Sequence, residues 1–253
     1  MKLKDFHLKT TKVGLLALCL VSAPRLAAAQ TMQFTDKGFI AVSGGGQIGS
    51  HTLNTSASFP LYDETATVVT TQKVKGGGYF EIGGAYRVYG HNLLAGVTYS
   101  HTSSSSNLDL AASIPNPFFF DQPRTVSSSQ SGAKHSENTI HLDAIYMVPV
   151  ANKLDIGIFG GPSIFGVKQD TVSSLTVTET ADPAHPTVAA PLGTVSKTSF
   201  GGNFGIDVQY LIAKKWGVGG IVRYSIGSAT IDGATDKLTV GGFDIGAGVR
   251  LRF

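Results

Sequence analysis

The sequence holds a single cysteine, Cys19, and a single tryptophan, Trp216, among 253 residues. One thiol makes no intramolecular disulfide, which excludes the small disulfide-stapled secreted scaffolds. Charge is scarce too: Asp, Glu, Lys and Arg together make up 15% of the chain. No apolar run reaches the roughly 20 residues that a membrane-crossing helix needs. Metal-ligand spacing is lacking, because His51, His91, His101, His135, His141 and His185 are scattered rather than paired on one strand or helix. The triplets Gly44-Gly-Gly46 and Gly76-Gly-Gly78 precede no helical pattern. They read as points of tight strand curvature or bulges, not phosphate loops. Neither a metal nor another cofactor is expected.

The N-terminal residues dominate the overall charge. Lys2, Lys4, Lys9 and Lys12 precede the short apolar run Val13–Val21, and Ala27-Ala28-Ala29 stands before Gln30. A basic start, a short apolar segment and small residues at a cleavage point mark a secretory signal peptide. Residues 1–29 are assigned to it, and residues 30–253 to one mature domain. A lipoprotein signal would use Cys19, but Leu18 stands before it where a small residue is expected. The leader carries five basic residues (Lys2, Lys4, Lys9, Lys12, Arg25) and one acid, Asp5. Subtracting them from 20 Lys+Arg and 17 Asp+Glu leaves 15 and 16, a net charge near −1. The whole-chain pI of about 8.9 therefore reflects the leader and gives no ground for nucleic-acid binding.

What the chain does have is period-two alternation. Counting back from the C-terminus, Phe253, Leu251, Val249, Ala247, Ile245 and Phe243 fall on one face of a strand. Arg252, Arg250, Gly248, Gly246, Asp244 and Gly242 fall on the other. A soluble sandwich or lipocalin-like barrel would carry Lys, Glu and Thr on its wet face. Glycine with a few charges fits instead the lumen of a narrow membrane barrel whose apolar face meets lipid. The same alternation recurs over residues 38–48, 74–89, 93–100, 139–150, 154–167, 198–211 and 216–227. In 38–48 the pattern is weakest, and Ile40 and Val42 are favoured as outward over Phe39 and Ala41. Eight strands result. Short turns at 90–92, 151–153 and 213–215 alternate with long Ser/Thr/Pro-rich loops at about 49–73, 101–136, 168–197 and 228–238. The fold predicted is all-β: an eight-stranded antiparallel up-and-down transmembrane barrel, with both termini at the periplasmic end. Aromatic residues near the strand ends, such as Tyr89, Tyr99 and Trp216, suit interfacial girdles.

On this reading the inward face is a polar network: Glu81, Arg87, Glu137, His141, Asp143, Asp155, Asn203, Asp207, Gln209, Arg223, Asp244, Arg250 and Arg252. Acids and bases nearly balance there. Eight strands leave room for little beyond their own side chains, so a lumen filled by Arg–carboxylate pairs is expected. A gated pore, or a proton-linked site at His141 and Asp143, is the sharper alternative.

The signal peptide, the eight-strand meander, Lys37–Gly46 and the terminal strand Gly242–Phe253 together resemble the OmpA/opacity-type outer-membrane β-barrel families. The resemblance covers essentially the whole mature chain. It implies an outer-membrane location, lipid as solvent, and recognition of Phe253 by barrel assembly machinery. It specifies activity poorly. Catalysis would need a nucleophile, a base and an orienting acid. His101-Thr-Ser103 is faintly similar to the His-x-Ser pair of lipid A deacylase barrels, but it opens a serine tract and the next acid is Asp109. Among the loops, Phe118, Phe119 and Phe120 are candidates for partner contact, or else fold over the barrel mouth or dip into the outer leaflet. The function expected is a non-enzymatic surface protein, serving envelope structure or contact with host or environmental ligands. The alternative is a small porin-like channel, and a lipid-active enzyme stands third.

Overall fold

A computed structural model describes residues 33–182, 185–234 and 236–253; the assigned leader, residues 1–29, lies outside the described residues. The strands are β1 (Gly38–Ile48), β2 (Ser50–Leu61), β3 (Glu64–Lys75), β4 (Gly78–Tyr89), β5 (Leu93–Ile114), β6 (Arg124–Ala151), β7 (Leu154–Val172), β8 (Thr176–Thr178), β9 (Thr187–Ala189), β10 (Leu192–Leu211), β11 (Trp216–Ala229) and β12 (Leu238–Arg252). Eight of them close a ring, each antiparallel to its neighbours, in the order β1, β4, β5, β6, β7, β10, β11, β12 and back to β1. Closure leaves no sheet edge in the ring. The seam joins the two chain ends: Phe39 pairs with Arg252 and Ile48 with Phe243. The three short turns and the C-terminus lie at one end, and the long hairpins project from the other.

Facing follows the predicted alternation. Ile40 is exposed while Phe39 and Ala41 are buried inside the ring. On β6, β7 and β10 the outward positions are apolar over 140–150, 154–164 and 200–210, about 11 positions each. That length matches the roughly 9–11 residues a tilted strand needs to cross a bilayer.

The structure departs from the sequence reading at the hairpin end. Three of the four segments expected as loops are largely strand. Residues 49–73 form most of the β2–β3 hairpin, β5 and β6 continue through most of 101–136, and β7 and β10 extend into 168–197 with the small β8–β9 hairpin between them. The single strand expected over 74–89 is two strands broken at Gly76-Gly77. Pairing carries across this break, since Gly76 N donates to Gly49 O at 2.8 Å and Gln47 N to Gly77 O at 2.9 Å. A Cβ at either glycine would collide with a backbone carbonyl, of Gln47 or of Ser103, so the bend needs glycine. Beyond it, β3 pairs with the upper part of β5. In β6 an extra residue near Gly132 (φ +82°) forms a bulge, so that Ala133 and Gln130 face Ser106 and Leu108.

These extended strands keep their facing but invert their chemistry. Along β5 the even positions point inward. They are small or polar from Gly96 to Ser106, then apolar at Leu108, Leu110, Ala112 and Ile114. The reason is the solvent outside. Where the outer face meets hydrocarbon, apolar groups belong outside; where it meets water, they must turn inward. The upper strands therefore enclose their own apolar core: Val68, Leu108, Leu110, Ala112, Ile114, Ala133 and Ala190, flanked by Leu175, Val177 and Val188 from the β8–β9 side. Each buried aliphatic side chain contributes about 1.5–3 kcal/mol, enough to hold this lobe as a folded layer.

Candidate functional site

Two regions gather chemistry: the lumen and the far tip of the hairpin lobe. In the lumen three arginines are stacked along the barrel axis. Arg252, nearest the turn end, is ion-paired with Asp155, donates to Gln209 Oε1 at 2.9 and 3.1 Å, and stacks over Phe34 at 5.3 Å. Arg250 reaches Asp207 at 2.7 Å and Ser43 Oγ at 2.9 Å. Arg223 sits highest. It contacts Glu81 at 3.3 Å and Asp143 at 3.1 Å, donates to Asn203 Oδ1 at 2.7 Å, and lies 4.6 Å over the Phe159 ring. Planar guanidinium forks suit this shared, stacked pairing. All three arginines are buried. Charges taken out of water persist only when paired and hydrogen-bonded, and here β1, β4, β6, β7 and β10 supply the partners of the arginines on β11 and β12.

Other predicted lumen residues take separate places. Asp244 is buried beside Arg223 in the β11–β12 register and hydrogen-bonds Gln47. His141 lies between Ser100 Oγ (3.1 Å) and Ser163 Oγ (2.7 Å), not against Asp143. Arg87 stands apart from the network, half-buried at the turn end, donating to the Phe34 carbonyl at 3.2 Å. Glu137 accepts the Gly241 N–H on both oxygens (3.1 and 3.0 Å) and contacts His135 Nε2 at 3.0 Å. Packed beside the arginines is an apolar cluster: Phe39, Ala41, Ala85, Leu94, Ile145, Met147, Phe159 and Ile221. Where the two sets meet, the cavity bounded by Glu81, Asp143, Asp207, Arg223, Arg250 and Phe159 has a volume of about 30 Å³. That is room for one or two waters. Higher up, Leu53, Val74, Phe165, Val167, Ile231, Leu238 and Val240 meet across the axis.

At the tip, three hairpins are pinned together by residues that the sequence reading passed over. Arg124 donates to both oxygens of Glu179 (2.7 and 2.8 Å) and to the Pro115 carbonyl at 2.8 Å, and Tyr62 donates to Glu179 at 2.8 Å. Asp121 N donates to Glu64 Oε1 at 3.1 Å. The Arg124 hydrogen bond holds the Glu179 carboxyl below its ordinary value, and the Glu179 hydrogen bond raises the Tyr62 phenol. These partners are 55 and 117 positions apart, so no local pattern announces them. Held above this clamp, Phe118, Phe119 and Phe120 are 72%, 58% and 73% exposed. From His101, level with the top of the apolar band, to Ile114 is about 40 Å along the strand. With membrane-barrel tilt that puts the phenylalanines on the order of 30 Å above the band.

His101 faces outward, half-buried, with Nδ1 2.9 Å from Asn138 Oδ1, which also accepts from Tyr99 at 2.7 Å. Its partner is thus an amide, not Ser103. Phe253 closes the seam: its carbonyl accepts from Lys37 N (2.7 Å) and Gly38 N (3.1 Å), and its ring is about half exposed. Among the described residues, no group of three or more His, Cys, Asp or Glu is placed to hold a metal.

Comparison with known proteins gives one family and several folds. The family model described as outer membrane protein beta-barrel domain matches residues 13–253. No curated protein sequence matches the chain. Among solved structures, Neisserial surface protein A is similar at a TM-score of 0.41 and 13% identity, over 85% of this chain and 97% of that one. Ail, the attachment invasion locus protein of Yersinia pestis, is similar at 0.35 and 11%, over 85% and 99%. The outer membrane protein AlkL is similar at 0.35 and 11%, over 89% and 94%.

Proposed function

This chain belongs to the outer membrane protein beta-barrel domain family, and from that membership we propose that it is a non-enzymatic surface protein whose barrel is a closed pedestal for a contact tip. The long hairpins project outward from the cell, as the short-turn, long-loop asymmetry of such barrels requires. The observation that carries the proposal is the raised Phe118-Phe119-Phe120 cluster, more exposed than Tyr62 and Val69 on the same lobe, whose remaining aliphatic side chains form a buried core. Three adjacent exposed phenylalanines mark a surface that buries itself against something else. The pinned hairpins beneath fix that surface in advance, which lowers the entropy cost of contact. Beneath the tip, the arginine pairs and the apolar cluster packed beside them support a lumen closed to solutes. Phe253, at the seam, serves as the assembly signal.

Two measurements test this reading. Purified protein in planar bilayers is expected to give no steady ion-selective steps; such steps would favour a channel instead. Single-cell force spectroscopy between barrel-displaying cells and a methyl-terminated surface reads the tip. Replacing Phe118, Phe119 and Phe120 with serine should abolish the adhesion, and adhesion equal to the unmodified protein would refute the contact role.

A further inference from the structure

Directly above the apolar band on β6, β7 and β10, outward residues form three level rows. Asn138, Gly166 and Thr198 are register partners in the first, and Ser136, Lys168 and Ser196 in the second. The third holds Lys134, Asp170 and Thr194, tied by Lys134 N to Asp170 Oδ2 (2.9 Å) and Thr194 Oγ1 to Asp170 Oδ1 (2.7 Å). Rows two residues apart on tilted strands differ in height by about 5 Å. Headgroups add roughly 5–7 Å to each side of the hydrocarbon core. The first row therefore lies in the headgroup layer, and the second and third stand about 10 and 15 Å above the last apolar row, from which Lys168 and Lys134 reach down along their flexible stems.

The charge here is poorly balanced. Lys134 and Lys168 are exposed diagonal neighbours on adjacent strands, a geometry that sets them about 7–8 Å apart. Among the described residues neither ammonium is ion-paired, whereas Lys197 close by is held by Asp232 at 2.9 and 3.0 Å. Asp170, the carboxylate in the rows, accepts the two strand ties above and keeps its charge, so two lysines against one carboxylate leave the rows with a single net positive charge. Two neighbouring ammoniums repel each other, and an anion between them relieves that repulsion. Space for one exists. Grooves of about 440 and 190 Å³ share Lys168 and Ser196, the first lined also by Lys134, Ser136 and Asp170, the second by Asn138, Gly166, Lys197 and Thr198. Gly166 leaves the second groove open, because a Cβ there would meet nothing closer than 3.5 Å.

We propose that this patch binds the phosphate-bearing headgroup of an outer-leaflet lipid. Lys134 and Lys168 hold the phosphate, the serine hydroxyls donate to its oxygens, and the Gly166 notch receives the neighbouring polar part of the headgroup. A lipid, not a free anion, is the occupant, because the next outward row below the first is Ile140, Ile164 and Phe200, along which acyl chains would lie. The site is independent of the tip and needs only that the barrel be embedded.

The test uses the whole barrel in nanodiscs of phosphatidylcholine with a small fraction of phosphatidic acid, with retained lipid counted by native mass spectrometry. Heat-modifiable gel mobility confirms that each variant is folded. The barrel should retain phosphatidic acid over phosphatidylcholine. K134Q/K168Q should lower that retention about tenfold, Gly166→Leu should lower it with both charges intact, and K237Q, a charge loss in the β11–β12 connection, should leave it unchanged. Millimolar inorganic phosphate should not displace the lipid. Undiminished retention by K134Q/K168Q or by Gly166→Leu, an equal loss with K237Q, or displacement by inorganic phosphate would each overturn the assignment.

Discussion

Replacing Arg223 with methionine is the most demanding perturbation of the lumen. The side chain is 2% exposed and bridges Glu81, Asp143 and Asn203 while stacking on Phe159. Methionine keeps much of the bulk and the contact with Phe159 but strands two carboxylates in a space with room for about one or two waters. Removing one partner of a buried ion pair costs about 3–5 kcal/mol, chiefly through the charge left behind. Lysine at the same position keeps the charge but not the fork, and should cost less, about 1.5–3 kcal/mol for a lost charge-assisted hydrogen bond. The diagnostic variant adds Glu81→Gln and Asp143→Asn to Arg223→Met. With both ion-pair partners of Arg223 neutralised and only its neighbour Asp244 still ionisable, it should recover at least half of the loss. Urea unfolding in lipid vesicles, followed by Trp216 fluorescence, reads all three. A loss below about 1 kcal/mol for the methionine variant would refute the reasoning, as would failure of the neutralised triple variant to recover.

The lipid-facing side makes a depth-dependent prediction. Ile206, at the middle of the outward band on β10, should cost about 2–4 kcal/mol when changed to arginine, and Tyr210, at its edge, about 0–1 kcal/mol, in the same unfolding assay. At the tip, the pH window follows from the shifts. Glu179 is depressed below its ordinary 4.5, so its contribution is present above that pH and fades as pH falls through the lower folded value. Tyr62 is raised above 10, so its hydrogen bond persists until pH climbs through that higher value. Hydrogen exchange of residues 62–64 and 115–124 should therefore be flat from pH 5 to 9, after correction for intrinsic rates, and accelerate below about 4. Glu179→Gln should give the accelerated rates already at pH 7.

Much of the barrel was legible in the sequence because a single physical cause, apolar groups turned to lipid, writes period-two alternation into every ring strand. Even the weak β1 pattern resolved as Ile40 and Val42 outward. The upper strands were not legible because their alternation is written in the opposite sense. In β5 the serine tract from Ser103 to Ser106 erases contrast between the faces just where the solvent outside changes, and Leu108, Leu110, Ala112 and Ile114 then resume on the inward side. Read as continuing the strand past a polarity switch, those four residues were the available signal. The lumen charges followed from facing alone, but which carboxylate meets which arginine depends on register across non-adjacent strands. Thus Arg87 faces the lumen side yet bonds a backbone carbonyl, and His141 meets two serines instead of Asp143. The Tyr62–Glu179–Arg124 clamp joins three hairpins and had no sequence signature.

The central claim is that one continuous strand wears its apolar side outward in lipid and inward above it. Single cysteines along β5, introduced with Cys19 removed, test it in intact cells with a membrane-impermeant maleimide. Labelling should be absent at 95, 97 and 99, strong at 109, 111 and 113, and absent again at 108, 110 and 112, with lipid-borne quenchers reaching only the first set. Equal labelling of odd and even positions from 108 to 113 would show a loose loop in place of the folded upper strand, and free labelling at 97 would contradict the lipid-facing band itself.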